Sequence, residues 1–294
     1  MAIFEGAGVA IVTPFLANGE INFGKLEEYI DFQINNGTDA IIICGTTGEA
    51  STMTDEEHLE CIKIAVDRTA GRIPVIAGTG SNDTRHGINL TKQAKALGVD
   101  ATLQVTPYYN KATQKGLIEH FTAIGCEVDL PMILYSVPSR TGVTIQPKTV
   151  AELAKYDFVQ GIKEATGNLS TVVEIAALCG TDFPIYSGND DQILPVLSLG
   201  GRGVISVLSN VAPRQTHDMV KLYLEGNHAE ALRLQLDFIP LVKALFCEVN
   251  PIPVKAALNL MGMEAGPCRL PLTNLEEEHV SLLKKALVDA KILA

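Results

Sequence analysis

The sequence predicts an α/β protein, a (β/α)8 TIM barrel with a C-terminal helical extension. Two observations carry that expectation. Short apolar, β-branched runs recur roughly every 20 to 35 residues, each followed by a segment of helical period, which is the pattern of repeated βα units. Eight such runs occur before residue 208, and beyond it only helical patterns remain.

In order, the strand runs are Gly8–Val12, Asp39–Cys44, Pro74–Ala77, Ala101–Val105, Met132–Tyr135, Phe158–Lys163, Ile185–Ser187 and Gly203–Val207. Between them lie helical stretches such as Asp55–Thr69, which Thr54 can cap with Glu57 three residues on, and Asn82–Leu97, which Gly98 follows. Alternating strands and helices imply a parallel sheet covered on its outside. An open doubly wound sheet has the same alternation, and the count of eight favours closure. The later helical patterns span Val211–Glu225, Ala229–Phe246, Pro251–Met261 and Glu276–Ile292. The expected division is a barrel carrying the active site over residues 1–210 and an extension packed on it over 211–294.

Composition fits one large core: the chain has 294 residues, 47% of them hydrophobic, and single barrels of about 250 residues are common. Its net charge of −11, with no Lys/Arg-rich run, argues against nucleic acid as a partner. Met1-Ala2-Ile3-Phe4-Glu5 lacks the basic start of a signal peptide, and no apolar stretch reaches the roughly 18 residues of a membrane span. A soluble cytoplasmic protein with no membrane partner is expected. The six cysteines contain no Cys-x-x-Cys pair and read as reduced core thiols, with Cys44 beside the expected site as the one conceivable reactive thiol. The six histidines show no His-x-x-x-His spacing, so neither a metal nor a cofactor is expected.

In a closed parallel barrel the chemistry gathers at the carboxyl ends of the strands. There stand Gly45-Thr46-Thr47-Gly48-Glu49, Thr106-Pro107-Tyr108-Tyr109-Asn110, Tyr135 through Gly142, Gly161-Ile162-Lys163-Glu164, and Ser187-Gly188-Asn189-Asp190. Lys163 ends an apolar strand at the edge of a low-dielectric interior. Such surroundings favour a neutral amine, which attacks ketones or aldehydes to form an iminium. The alternative is a rim lysine paired with Glu164. Tyr135 can shuttle protons beside that amine or cap the core with its hydroxyl in water. The Gly45–Glu49 loop offers hydroxyls and N–H groups for a small carboxylate, or is a plain turn. Arg140 can grip a carboxylate with two N–H groups or form a surface salt bridge. Gly78-Thr79-Gly80 and Gly200-Gly201-Arg202-Gly203 are too incomplete for a nucleotide fingerprint and read as turns.

Taken together, Gly45-Thr46-Thr47-Gly48-Glu49, Tyr135-x-Val137-Pro138-Ser139-Arg140-Thr141-Gly142, Gly161-Ile162-Lys163-Glu164-Ala165-Thr166-Gly167 and Asn250-Pro251-Ile252-Pro253-Val254-Lys255 resemble the dihydrodipicolinate synthase family of pyruvate-dependent aldolases nearly end to end. One small departure is Ser136, where asparagine is frequent. The resemblance implies that Lys163 forms a Schiff base with pyruvate, that Thr46, Tyr109 and Tyr135 relay protons, and that Thr47 holds the pyruvate carboxylate. It further implies that Arg140 binds the carboxylate of L-aspartate 4-semialdehyde and that the backbone of Gly188 and Ile205 lies against the lysine. Tyr109 would reach a neighbouring subunit's site, making a homo-oligomer, dimer or tetramer, part of the chemistry. The product would enter diaminopimelate and lysine biosynthesis.

In lysine-regulated members the inhibitor binds at a subunit interface near the relay tyrosine. Matching positions keep Asn82, Tyr108 and His58, but Asp55 replaces a histidine and His86 replaces a glutamate, so the resemblance implies weak or absent feedback by L-lysine. The competing enzyme readings are N-acetylneuraminate lyase and a 2-keto-3-deoxy sugar acid aldolase, which would share Lys163, Tyr135 and the Gly45–Glu49 loop. From another class, the chain could be a non-catalytic keto-acid-binding barrel.

Overall fold

A strand sends successive side chains to opposite faces, so a closed barrel sorts each run into an inner and an outer set. In the computed structural model, which describes residues 2–293, the eight runs form β1 (Gly6–Ala10), β2 (Ala40–Ile43), β3 (Val75–Gly78), β4 (Ala101–Val105), β5 (Met132–Ser136), β6 (Val159–Glu164), β7 (Ile185–Ser187) and β8 (Gly203–Ser206). They pair in sequence order, and β8 returns in parallel to β1, so the sheet is a closed barrel and the doubly wound alternative falls. β1 begins two residues before the expected Gly8. Gly6 and Ala7 join the strand because they pair with Gly203 and Val204 at the closure.

The helices are α1 (Phe23–Asn35), α2 (Asp55–Thr69), α3 (Thr84–Ala96), α4 (Gln114–Val128), α5 (Pro138–Thr141), α6 (Pro147–Leu153), α7 (Leu169–Cys179), α8 (Ile193–Ser198), α9 (Pro213–Leu224), α10 (His228–Leu245), α11 (Ile252–Leu260) and α12 (Glu277–Asp289). The start of α2 is fixed by a reciprocal cap: Thr54 accepts from the Glu57 N–H, and the Glu57 carboxylate accepts from the Thr54 N–H. α9 lies against β1 and α8, while α10 packs on α9 and α12, and α12 on α11.

The inner set includes Ile42, Ile76, Leu103, Ile133, Tyr135, Tyr186 and Ile205, one contiguous cluster within the barrel. Outward-facing Ile41, Ile43, Val75 and Val204 meet α1, α2 and the C-terminal helices, and Met132, Leu134, Ile162 and Ile185 meet α4, α6 and α7.

One irregularity decides what β6 presents. Val159 faces outward, so strict alternation would also send residues 161 and 163 outward. Between β5 and β6, however, the register slips: Met132 pairs with Val159 but Leu134 with Ile162, which leaves one extra residue on β6. Ile162 is therefore the outward residue, and Lys163 turns inward opposite Tyr135. Gly161 makes the bulge possible. It has φ +147°, and a Cβ there would lie 2.7 Å from the Pro184 carbonyl oxygen. Gly161→Ala should cost about 2 kcal/mol through backbone strain, a fall in Tm of roughly 4–8 °C by differential scanning calorimetry. An unchanged Tm would show that the bulge tolerates a side chain.

Candidate active site

The carboxyl ends of the strands surround a cavity of about 220 Å³ lined by Thr46, Thr47, Tyr135, Arg140, Lys163, Gly188, Phe246 and Asn250 among others. Lys163 is 6% exposed, and its amine lies 4.5 Å from the centroid of the Tyr135 ring. Among the described residues it has no hydrogen-bonded or ion-pair partner. The neighbouring carboxylates are committed elsewhere. Glu164 accepts from the Thr166 N–H at 3.0 Å, and Asp190 accepts from the N–H groups of Val207 and Leu208 at 3.0 and 2.9 Å. Burial pushes both carboxyls upward, opposed at Glu164 by Thr166 and at Asp190 by Ser206, those N–H groups and the nearby Lys163 charge. The pairing of Lys163 with Glu164 is thus absent.

Tyrosines flank the lysine in register on both sides, Tyr135 on β5 and Tyr186 on β7. Only one has a free phenol. Tyr186 donates to the Phe4 carbonyl at 2.7 Å and stacks on the Phe4 ring, and burial raises its phenol. The Tyr135 hydroxyl has no partner among the described residues, although the side chain is buried.

Thr46 and Thr47 sit in the loop after β2, which Thr13 fastens by donating from Oγ1 to the Gly48 carbonyl at 2.8 Å. The Thr47 hydroxyl is buried and accepts from Asn250 Nδ2 at 2.9 Å. Arg140 lies on the single turn α5, and its Nη2 donates to the Asn250 carbonyl at 3.0 Å. Among the described residues no carboxylate pairs with it, so the surface salt bridge is not formed and the guanidinium keeps donors for a ligand. Gly188 belongs in this wall because a Cβ would meet the Ala165 Cβ at 2.5 Å and the Glu164 carbonyl at 3.0 Å.

Two expected site residues stand apart. Ile205 is buried in the inner barrel cluster but is not part of the cavity lining. Tyr109 has φ +74°, is 91% exposed and does not line the cavity of its own chain. Its loop is held by Asn82, whose side chain donates to the Tyr108 carbonyl at 3.1 Å. Two features lay beyond the sequence reading: the side chain of Asn250, quoted there only within a motif, and Phe246 at the cavity.

A second cavity of about 390 Å³ adjoins the first and shares Thr46, Tyr135 and Arg140 with it. It contains Asp55, His58, His86 and Tyr108. His86 bonds Asp55 through Nε2 at 3.0 Å and Ser81 through Nδ1 at 3.0 Å, while burial lowers the His58 imidazole, whose Nε2 lies 2.8 Å from the Gly78 carbonyl. Cys44, at the end of β2, is buried, and burial raises its thiol well above the ordinary range, which is the state of a packing residue. A larger cavity of about 660 Å³ lies between α11 and α12, away from Lys163. Among the described residues no cluster of His, Cys, Asp or Glu is placed to hold a metal ion, and no helix is long and apolar enough to cross a membrane.

Comparison with known proteins gives a consistent family. The model of the dihydrodipicolinate synthetase family matches residues 3–290. The 4-hydroxy-tetrahydrodipicolinate synthase of Lachnoclostridium phytofermentans is 62% identical over 96% of this chain and 97% of its own length, and that of Acetivibrio thermocellus 57% over 98% and 97%. Among solved structures, the dihydrodipicolinate synthase of Acinetobacter baumannii complexed with pyruvate superposes with a TM-score of 0.96 at 44% identity, covering 98% of this chain and 99% of that one. The enzyme of Cyanidioschyzon merolae with lysine bound gives 0.97 at 42% identity over the full length of both. With this match along nearly its whole length, and with its lysine at the mouth of a closed barrel, the chain belongs to the dihydrodipicolinate synthetase family.

Proposed function

We propose that this chain condenses pyruvate with L-aspartate 4-semialdehyde, the reaction of a 4-hydroxy-tetrahydrodipicolinate synthase, on the route to diaminopimelate and lysine. The observation that carries this reading is the unpaired, inward-facing amine of Lys163 beside the free phenol of Tyr135. The amine adds to C2 of pyruvate, and loss of water leaves an iminium. That electron sink lets a C3 proton depart, and the resulting enamine attacks the aldehyde carbon of the semialdehyde. The semialdehyde's amino group then displaces Lys163 from C2, which closes the ring and frees the enzyme.

In this reading Tyr135, Thr46 and Tyr109 pass protons to and from the carbinolamine. Thr47 donates to the pyruvate carboxylate, Gly188 and Ile205 bound the lysine with their backbone, and Arg140 clamps the acceptor's carboxylate. The exposure and left-handed backbone of Tyr109 suit a side chain that enters a neighbouring subunit's site, so we take the working unit to be a homo-oligomer. Residues 1–210 would form the catalytic barrel and 211–294 the extension that lends Asn250 to it. Arg140 favours this acceptor over the longer substrate of a sugar-acid aldolase, because a short aldehyde places its own carboxylate near the reacting carbon.

Arg140→Ala should leave imine formation with pyruvate intact while reducing condensation about a hundredfold, as expected for loss of a charge-assisted pair. The check is a steady-state condensation assay run beside pyruvate trapping, and unchanged condensation would remove Arg140 from the site. L-lysine should inhibit weakly or not at all. The carboxylate that would grip its ammonium is replaced by His86, which is already bonded to Asp55, and a missing charge-assisted bond lowers affinity roughly ten- to a hundredfold. Initial rates at subsaturating pyruvate with rising L-lysine measure this, and strong inhibition at low lysine would contradict it.

A further inference from the structure

The Asn-Pro-Ile-Pro-Val-Lys stretch that leads into α11 has no part in the steps above, yet two of its side chains reach the loop after β2. Asn250 is 6% exposed and lines the 220 Å³ cavity. Its Nδ2 donates to Thr47 Oγ1, and its main-chain carbonyl accepts from Arg140 Nη2. Five residues on, Lys255 donates from Nζ to Glu49 Oε1 at 2.8 Å and to the Pro267 carbonyl at 2.6 Å. Glu49 Oε2 in turn accepts from the Arg269 N–H at 2.9 Å. One segment therefore grips the Thr46–Glu49 loop at two points. The Lys255 grip holds the Glu49 carboxylate, and the Asn250 grip acts on the hydroxyl of Thr47, which lines the substrate cavity.

The direction of that second bond matters. A threonine hydroxyl has one proton to give and two lone pairs to fill. With the Asn250 N–H on a lone pair, the Thr47 proton is left without an acceptor among the described residues, so it is available to a carboxylate in the cavity. Asn250 Oδ1 is buried and has no partner among the described residues. What the orientation supplies is the donor on Thr47.

We propose that Asn250 is a positioning residue for both substrates: its amide N–H turns the Thr47 proton toward the pyruvate carboxylate, and its main-chain carbonyl holds the Arg140 guanidinium on the acceptor side. This rests on the pyruvate reading above. The test measures the pyruvate concentration that half-saturates borohydride trapping in the full-length protein for Asn250→Ala and Asn250→Asp, each alone and combined with Thr47→Val. Wild-type trapping is measured first, and its absence overturns the parent reading together with this one. Given trapping, Asn250→Ala should raise the half-saturating pyruvate roughly tenfold. The isosteric Asn250→Asp should raise it further, because a carboxylate reclaims the Thr47 proton and adds negative charge beside the bound anion. In the Thr47→Val background Asn250→Ala should matter by less than about threefold, since its route of action is already gone. The KM for the semialdehyde should hold within about threefold in Asn250→Ala, because the carbonyl to Arg140 is main chain. An equal penalty in both backgrounds, or pyruvate saturating Asn250→Asp as readily as wild type, overturns the proposal.

Discussion

The extra residue on β6 is the constraint on which the rest of the site depends. Side-chain direction in a strand has a period of two, so a one-residue change of register exchanges the inner and outer faces. With Val159 outward, only the bulge at Gly161 brings Lys163 into the barrel opposite Tyr135 and beside Tyr186. Everything else at the mouth is arranged around the position this gives the amine. Tyr186 ties its phenol down to Phe4, and Tyr135 is left with a hydroxyl free to exchange protons.

Two buried lysines in this chain meet opposite fates, and the contrast shows how the fold separates structure from chemistry. Lys255 is 1% exposed, paired with Glu49, bonded to the Pro267 carbonyl and set over the Phe15 ring. Burial, joined by the nearby Arg269 charge, lowers its pKa from the ordinary lysine value, while the Glu49 carboxylate works to hold the ammonium in place. Removing one member of such a pair is costly because the other charge stays buried. Lys163 is nearly as buried, but the carboxylates near it are occupied by backbone N–H groups, and among the described residues it has no ion-pair partner. The loop between the two roles is one stretch: Thr47 faces the cavity, and Glu49, two residues on, is locked to Lys255.

Much of this was legible in the sequence where the physics is local. α2 starts and ends where the Thr54–Glu57 box and the helical period put it, because capping is decided within four residues. The eight strands and the helices after them follow from hydrophobic spacing, and closure of the barrel follows from their number. β1 starts two residues early because Gly6 and Ala7 become strand only by pairing with Gly203 and Val204, nearly 200 residues away in the chain. Lys163 was visible as a strand-ending lysine, but its inward aim was not, since the bulge that sets it is a property of two paired strands. The hold of Asn250 on the Arg140 guanidinium and on the Thr47 hydroxyl joins residues 110 and 203 positions apart in the chain, and no local pattern encodes such meetings. Tyr109 stands as an exposed tyrosine in an uncommon backbone conformation.

The most direct measurement is reduction with borohydride in the presence of pyruvate, followed by peptide mass mapping of wild type and Lys163→Ala. One reduced pyruvate adduct per chain, confined to the peptide containing Lys163 and absent from the variant, is the result expected of an unpaired amine turned into the cavity. An adduct on the Lys255 peptide, or one that forms in Lys163→Ala at the wild-type rate, would contradict it.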